Sequence, residues 1–183
     1  MRGVPDHGAA WSRPWSASGS VDCGEFRLSR QFLADGAAYR LEAAPGYRFV
    51  WAAHALLEVS PSAVLEAPAG TSTRIDGGVV ASWPTPLAAL GPDDGTAVGA
   101  ILVDCPSVAI SDGSRLTFRL EAPGQPVSVG LWRNLRGWPA DNPYRSIGVE
   151  PMLGRVFDLS LAGPDDAAVV PASGVCEWRL WVS

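Results

Sequence analysis

Helical periodicity is hard to find in this chain, whereas short runs of β-type residues separated by turn clusters recur from end to end, and this recurrence constrains the fold most. Candidate strands are 25-EFRLSRQF-32, 38-AYRLEAA-44, 47-YRFVWAAHALLEV-59, 78-GVVASW-83, 97-AVGAILVD-104, 107-SVAISD-112, 114-SRLTFRLEA-122, 127-VSVGLWRN-134, 145-RSIGVEP-151 and 175-VCEWRLWVS-183. Between them lie breakers such as Pro45-Gly46, Asp112-Gly113, Pro123-Gly124 and Gly163-Pro164-Asp165-Asp166. In 114–122, Leu116, Phe118 and Leu120 fall on one side and Arg115, Thr117, Arg119 and Glu121 on the other. One face of that strand is wet, which favours antiparallel pairing. The 20 glycines and 16 prolines weaken helix interiors and suit turn-rich β structure. The expectation is an all-β, antiparallel sandwich, with room for one helical turn in 151-PMLGRVFDLSLA-162.

A chain of 183 residues suits a single domain over 1–183 with a sizeable core, and 47% hydrophobic against 18% charged residues argues for a globular protein. Its net charge of −5, with 14 scattered cationic residues, all arginine, provides no basic stripe for a phosphate backbone. Nucleic acid is not an expected partner. The first residues contain no uninterrupted apolar segment, and no later run approaches the roughly 18 apolar residues that span a bilayer. No membrane partner is expected, and the reading places the protein in the cytoplasm. Cys23, Cys105 and Cys176 are widely spaced and odd in number, so they read as small buried hydrophobes and no metal centre is indicated.

Few side chains are equipped for proton transfer near neutral pH. Glu150, in 144-YRSIGVEPMLGRVFD-158, closes an apolar strand where glutamate is depleted. His54 interrupts the apolar 51-WAAHALL-57, which fits either a hydrogen-bonded core histidine or the rim of a pocket, and His7 lies beside a glycine in 5-PDHGAAWSRPW-15.

The segments 5-PDHGAAWSRPW-15, 47-YRFVWAAHALLEVSP-61, 129-VGLWRN-134 and 144-YRSIGVEPMLG-154 resemble, in the same order, the aldose 1-epimerase (galactose mutarotase-like) family. Each motif is weak alone, and their order and spacing carry the resemblance. It implies a β-supersandwich whose concave face binds a hexose, working without metal or organic cofactor. By motif matching, Glu150 would be the general base that takes the proton of the anomeric hydroxyl, and His54 the general acid that protonates the ring oxygen. His7 would hydrogen-bond the sugar, and Trp132, in a matched segment, would pack on its apolar face. Independently of the family, opening a hemiacetal needs one proton removed and another delivered close by, and a carboxylate with an imidazole is the minimal pair.

The family's usual chain is longer, so the resemblance implies a sandwich lacking its N-terminal part. The sheet edge left open would invite strand addition, hence a homo-oligomer. Trp11 stands where phosphosugar-specific members resemble one another in an arginine, which favours a free sugar, with Arg13 or Arg145 as substitutes if a phosphate were bound. A sugar-holding aspartate is not assigned between Asp94 and Asp104. The alternative to an isomerase is a non-catalytic carbohydrate-binding pseudoenzyme of the same fold. A glycoside hydrolase ranks last, because it needs two carboxylates across the scissile bond.

Overall fold

The computed structural model describes residues 7–76 and 78–183. The first half of the chain forms β1 (Ser20–Asp22), β2 (Phe26–Leu33), β3 (Gly36–Ala43), β4 (Arg48–Phe49), β5 (Trp51–Ala52), β6 (Leu56–Leu57), β7 (Val64–Glu66), β8 (Ser72–Ile75) and β9 (Val79–Ser82). The second half adds β10 (Ala97–Leu102), β11 (Ser107–Asp112), β12 (Ser114–Glu121), β13 (Val127–Leu135), β14 (Arg145–Leu153), β15 (Ala168–Val169) and β16 (Val175–Val182). Two antiparallel sheets dominate. The first runs β1-β2-β3-β16-β12-β11-β7, and the second runs β5-β14-β13-β10-β8-β9, with β6 also paired to β14. A small third sheet joins β15 to β4. The fold is therefore all-β and antiparallel, as the turn spacing predicts.

Period-two alternation assembles the core. Val129 and Leu131 of β13, Ile147 and Val149 of β14, and Ala100 and Leu102 of β10 share one packed cluster with Leu41, Phe118, Leu120, Trp178 and Leu180 of the first sheet. Fully burying a leucine such as Leu131, which has no exposed surface, contributes about 1.5–3 kcal/mol. The outer face of the first sheet is wet: Arg40 pairs with Glu42 and Glu177, and Arg119 with Glu121. Phe118 and Leu120 are buried while Arg119 and Glu121 are exposed, matching the alternation of 114–122.

The main departure from expectation is 47–59, which reads as one strand and is three fragments. β4 pairs with β15, β5 with the far end of β14, and β6 with its middle. The segment has no two-residue alternation to keep it in a single ladder, and Pro151 of β14 has no N–H to donate to it. β1, β7, β8 and β15, at two to four residues, are too short for their alternation to stand out in sequence. The helical turn expected in 151–162 is a 3-10 turn at Leu159–Leu161, capped by the Asp158 carboxylate accepting from the Ser160 N–H. Cys105 and Cys176 are buried and Cys23 half-buried, all three as thiols; burial pushes each above the ordinary thiol pKa. No helix among the described residues is long and apolar enough to cross a membrane.

Candidate functional site

The site is built on the face of the second sheet that turns away from the core. Because β13 and β14 send Val129, Leu131, Ile147 and Val149 inward, their alternate residues Gly130, Trp132, Gly148 and Glu150 share the opposite face. Gly130 lies across from Glu150, and Trp132 across from Gly148. Both glycines make room. A Cβ on Gly148 would stand 2.9 Å from Glu150 Oε1 and 3.3 Å from Trp132 Cβ, while one on Gly130 would stand 2.9 Å from Phe157 Cε1. Glu150 thus rises from a floor of missing side chains, flanked by Trp132 and Phe157.

His54 reaches Glu150 through a local break in pairing. β5 and β6 flank residues 53–55, and continuing their register along β14 sets His54 opposite Glu150. The Ala53 N–H donates to Pro151 O and the Val149 N–H to Ala55 O, so the ladder closes on both sides. Between these bonds, the Ala55 N–H turns back to Ala53 O, a three-residue turn that lifts His54 out of the strand. Its Nδ1 lies 3.1 Å from Glu150 Oε1. Glu150 keeps 11% of its side-chain surface exposed and His54 34%, so the pair is partly desolvated yet open to solvent.

The N-terminal segment completes the cluster. The His7 ring stacks on that of His54, centroids 4.8 Å apart and planes 8° from parallel. Trp11 meets His54 edge-on at 5.9 Å and His7 at 5.4 Å. His7 adopts a left-handed φ of 62°, which costs a non-glycine residue about 1–3 kcal/mol and is a feature concentrated at functional sites.

All four residues singled out in sequence, Glu150, His54, His7 and Trp132, therefore meet on one face. Sequence reasoning missed Trp11, Phe157 and the two glycines as site elements; glycine inside the apolar runs 127–134 and 145–151 is the signal that marks a close approach. The arginines offered for a phosphate are occupied: Arg13 donates to Asp22 O, and Arg145 to Asp93 and Leu90 O. Asp104 pairs with Arg155, and Asp94 with Arg133 and the Thr96 hydroxyl. Asp76 lies on the site face instead, over Gly99, which stands opposite Trp132 and donates its N–H to Asp76 Oδ2 at 2.6 Å.

Beyond Phe157 the face continues along the row Glu150, Gly130, Ile101, Arg74 into a cleft of about 270 Å³ lined by Arg74, Asp76, Ile101, Arg155, Phe157 and Leu161. A larger depression of about 1000 Å³ lies on the first sheet. Its lining includes Arg40, Glu177 and Arg179, charges already paired with Glu42, with each other or with Asp35. Among the described residues no group of three or more His, Cys, Asp or Glu side chains is placed to hold a metal ion.

No protein-family model matches the chain, and no curated protein matches it at a significant level. Two solved structures do. A provisionally assigned aldose 1-epimerase from Escherichia coli K12 superposes with a TM-score of 0.61 at 16% identity, over 86% of this chain and 60% of that one. A TPR-domain containing protein from Parabacteroides distasonis superposes with a TM-score of 0.51, also at 16% identity, over 86% of this chain and 30% of that one. This chain thus spans about 60% of the length of the first structure and 30% of the second, and the superposed parts share its fold.

Proposed function

We propose that the protein is an aldose 1-epimerase acting on a free, neutral hexose, with Glu150 as general base and His54 as general acid. The observation that carries this reading is the 3.1 Å contact between His54 Nδ1 and Glu150 Oε1 on a solvent-open face bordered by aromatic rings. In a cyclic aldose the anomeric hydroxyl and the ring oxygen share one carbon. The groups serving them must therefore stand side by side, and a touching carboxylate and imidazole meet that requirement. Substrate exchanges the direct contact for two: Glu150 accepts the anomeric proton while His54 protonates the ring oxygen, the C1–ring oxygen bond opens, and rotation before reclosure gives the other anomer. His7 supports the His54 ring by stacking and faces the sugar hydroxyls. Trp132 and Phe157 offer apolar ring surface to either side of the reacting carbon. The occupied state of Arg13 and Arg145 favours a neutral sugar over a phosphorylated one.

Polarimetry or NMR of freshly dissolved α-D-glucose and α-D-galactose tests the reading. Anomer interconversion should exceed the spontaneous rate in proportion to protein concentration, and Glu150→Gln should return it to background. A rate indistinguishable from buffer would leave the second reading, a carbohydrate-binding protein without turnover.

A further inference from the structure

The aromatic surface beside Glu150 does not end at Trp132. Trp132 meets Trp138 edge-to-face with centroids 6.1 Å apart, and Trp138 meets Tyr144 in the same manner, again at 6.1 Å. Trp138 is 52% exposed and Tyr144 46%, so two large rings stand in solvent in line with the site, next to its own Trp132. Trp138 is also held in place. Asn134, two residues beyond Trp132 on the same face and with no exposed surface, accepts the Gly137 and Trp138 N–H groups at its Oδ1 and donates Nδ2 to Trp138 O at 2.8 Å. A buried amide thus fixes the backbone on both sides of an exposed indole. Such an arrangement lowers the entropy cost of using that ring as a contact surface.

From this we infer an outer subsite: Trp138 and Tyr144 bind a second pyranose when its neighbour lies at Glu150, so that the ligand is the reducing end of a neutral oligosaccharide. The inference rests on the reading of Glu150 and His54 as the anomer-handling pair. Two points favour a glycan over a protein partner on this surface. The row is continuous with a site of acid and base suited to an aldose, and each aromatic tip carries a polar N–H or O–H for hydroxyls. The far end of the row is anchored by Tyr144, the residue directly before β14, the strand that carries Glu150.

The test compares glucose and galactose with maltotriose, cellotriose and β-1,4-galactotriose by calorimetry and by NMR of the anomeric protons. Wild-type protein should bind at least one trisaccharide about five- to ten-fold more tightly than its monosaccharide, and Trp138→Ala or Tyr144→Ala should each erase most of that gain while leaving the monosaccharide unchanged. Circular dichroism confirms folding of both variants, whose altered side chains are exposed. The inference is overturned if no trisaccharide binds better than its monosaccharide, or if the variants weaken both ligands equally. Should monosaccharides interconvert while trisaccharides gain nothing, the outer subsite fails and the epimerase reading stands. Trp138-dependent trisaccharide binding without interconversion would instead uphold the outer subsite and remove the epimerase reading.

Discussion

His54 stands opposite Glu150 across the margin of the second sheet, Nδ1 to Oε1 at 3.1 Å, although 96 residues separate them in the chain. The contact arises because the pairing of β5 and β6 with β14 is interrupted over residues 53–55, where the Ala55 N–H turns back to Ala53 O and lifts His54 out of the strand beside the carboxylate. An uninterrupted strand over 47–59 would not have produced this lift at His54.

If the pair acts as base and acid, Glu150→Gln keeps the shape but removes the base, and the rate of anomer interconversion should fall by about 10²- to 10⁴-fold. His54→Asn should fall into the same range. Because each step needs both groups, the double variant should lose little more than either single one. Additive losses in the three polarimetric rates would mean that the two residues act separately.

The two glycines that frame Glu150 separate activity from stability. Neither has a left-handed φ, so alanine meets only the space around it. In Gly148→Ala the new Cβ presses on Glu150 Oε1 and the Trp132 Cβ, displacing the carboxylate. Activity should drop by at least about ten-fold, since a misplacement near 1 Å costs up to about 100-fold, with a modest change in melting temperature. In Gly130→Ala the neighbour is the half-exposed Phe157 ring, which can swing toward solvent. Turnover should fall less there than in Gly148→Ala, and the reverse order would mean that Phe157, not the carboxylate position, limits the reaction.

Much of this was legible in the sequence. The long strands stand out because their alternation is strict, as in β12, or because, as in β13 and β14, they carry continuous apolar runs bounded by turns. Glu150 stands out as a carboxylate where strands avoid one. What places it beside His54 is not visible in composition or period, because the three-residue turn at 53–55 is defined by the register on either side of it and by Pro151 on the neighbouring strand. Phe157 is hidden for a related reason: it belongs to an irregular segment and gains its place only by lying over Gly130. The aspartate of the site face escapes notice too, since Asp76 sits in a turn cluster that reads as loop.

Asn134 should be the costliest polar truncation near the site. Its amide has no solvent to fall back on and makes three hydrogen bonds to the 137–138 backbone. Asn134→Ala leaves those groups without their partner and should destabilise by about 1–3 kcal/mol in urea unfolding. The same change should loosen Trp138, seen as a rise in its NMR side-chain mobility. Stability within error of wild type would show that the turn is held by other contacts.

Acid should weaken the fold through the carboxylates that bind the 91–96 loop to β13 and β14. The Arg145 and Arg136 guanidinium groups hold Asp93 below the ordinary aspartate value of 3.8, and the Thr96 hydroxyl, aided by its own N–H and by Arg133, does the same for Asp94. Ser60 acts likewise on Asp112. A carboxyl whose folded pKa is depressed adds stability above its unfolded value and loses it as pH falls through the folded one. The melting temperature should therefore stay level with respect to these groups from pH 7 to about 5 and decline below about 4. Asp93→Asn with Asp94→Asn removes two titrating partners, so that double variant should start lower at pH 7 and show a shallower acid decline. Calorimetric scans at about pH 7, 5, 4 and 3, which bracket the ordinary carboxylate range of about 4, check both slopes. Parallel curves for the two proteins would assign the acid sensitivity to other carboxylates.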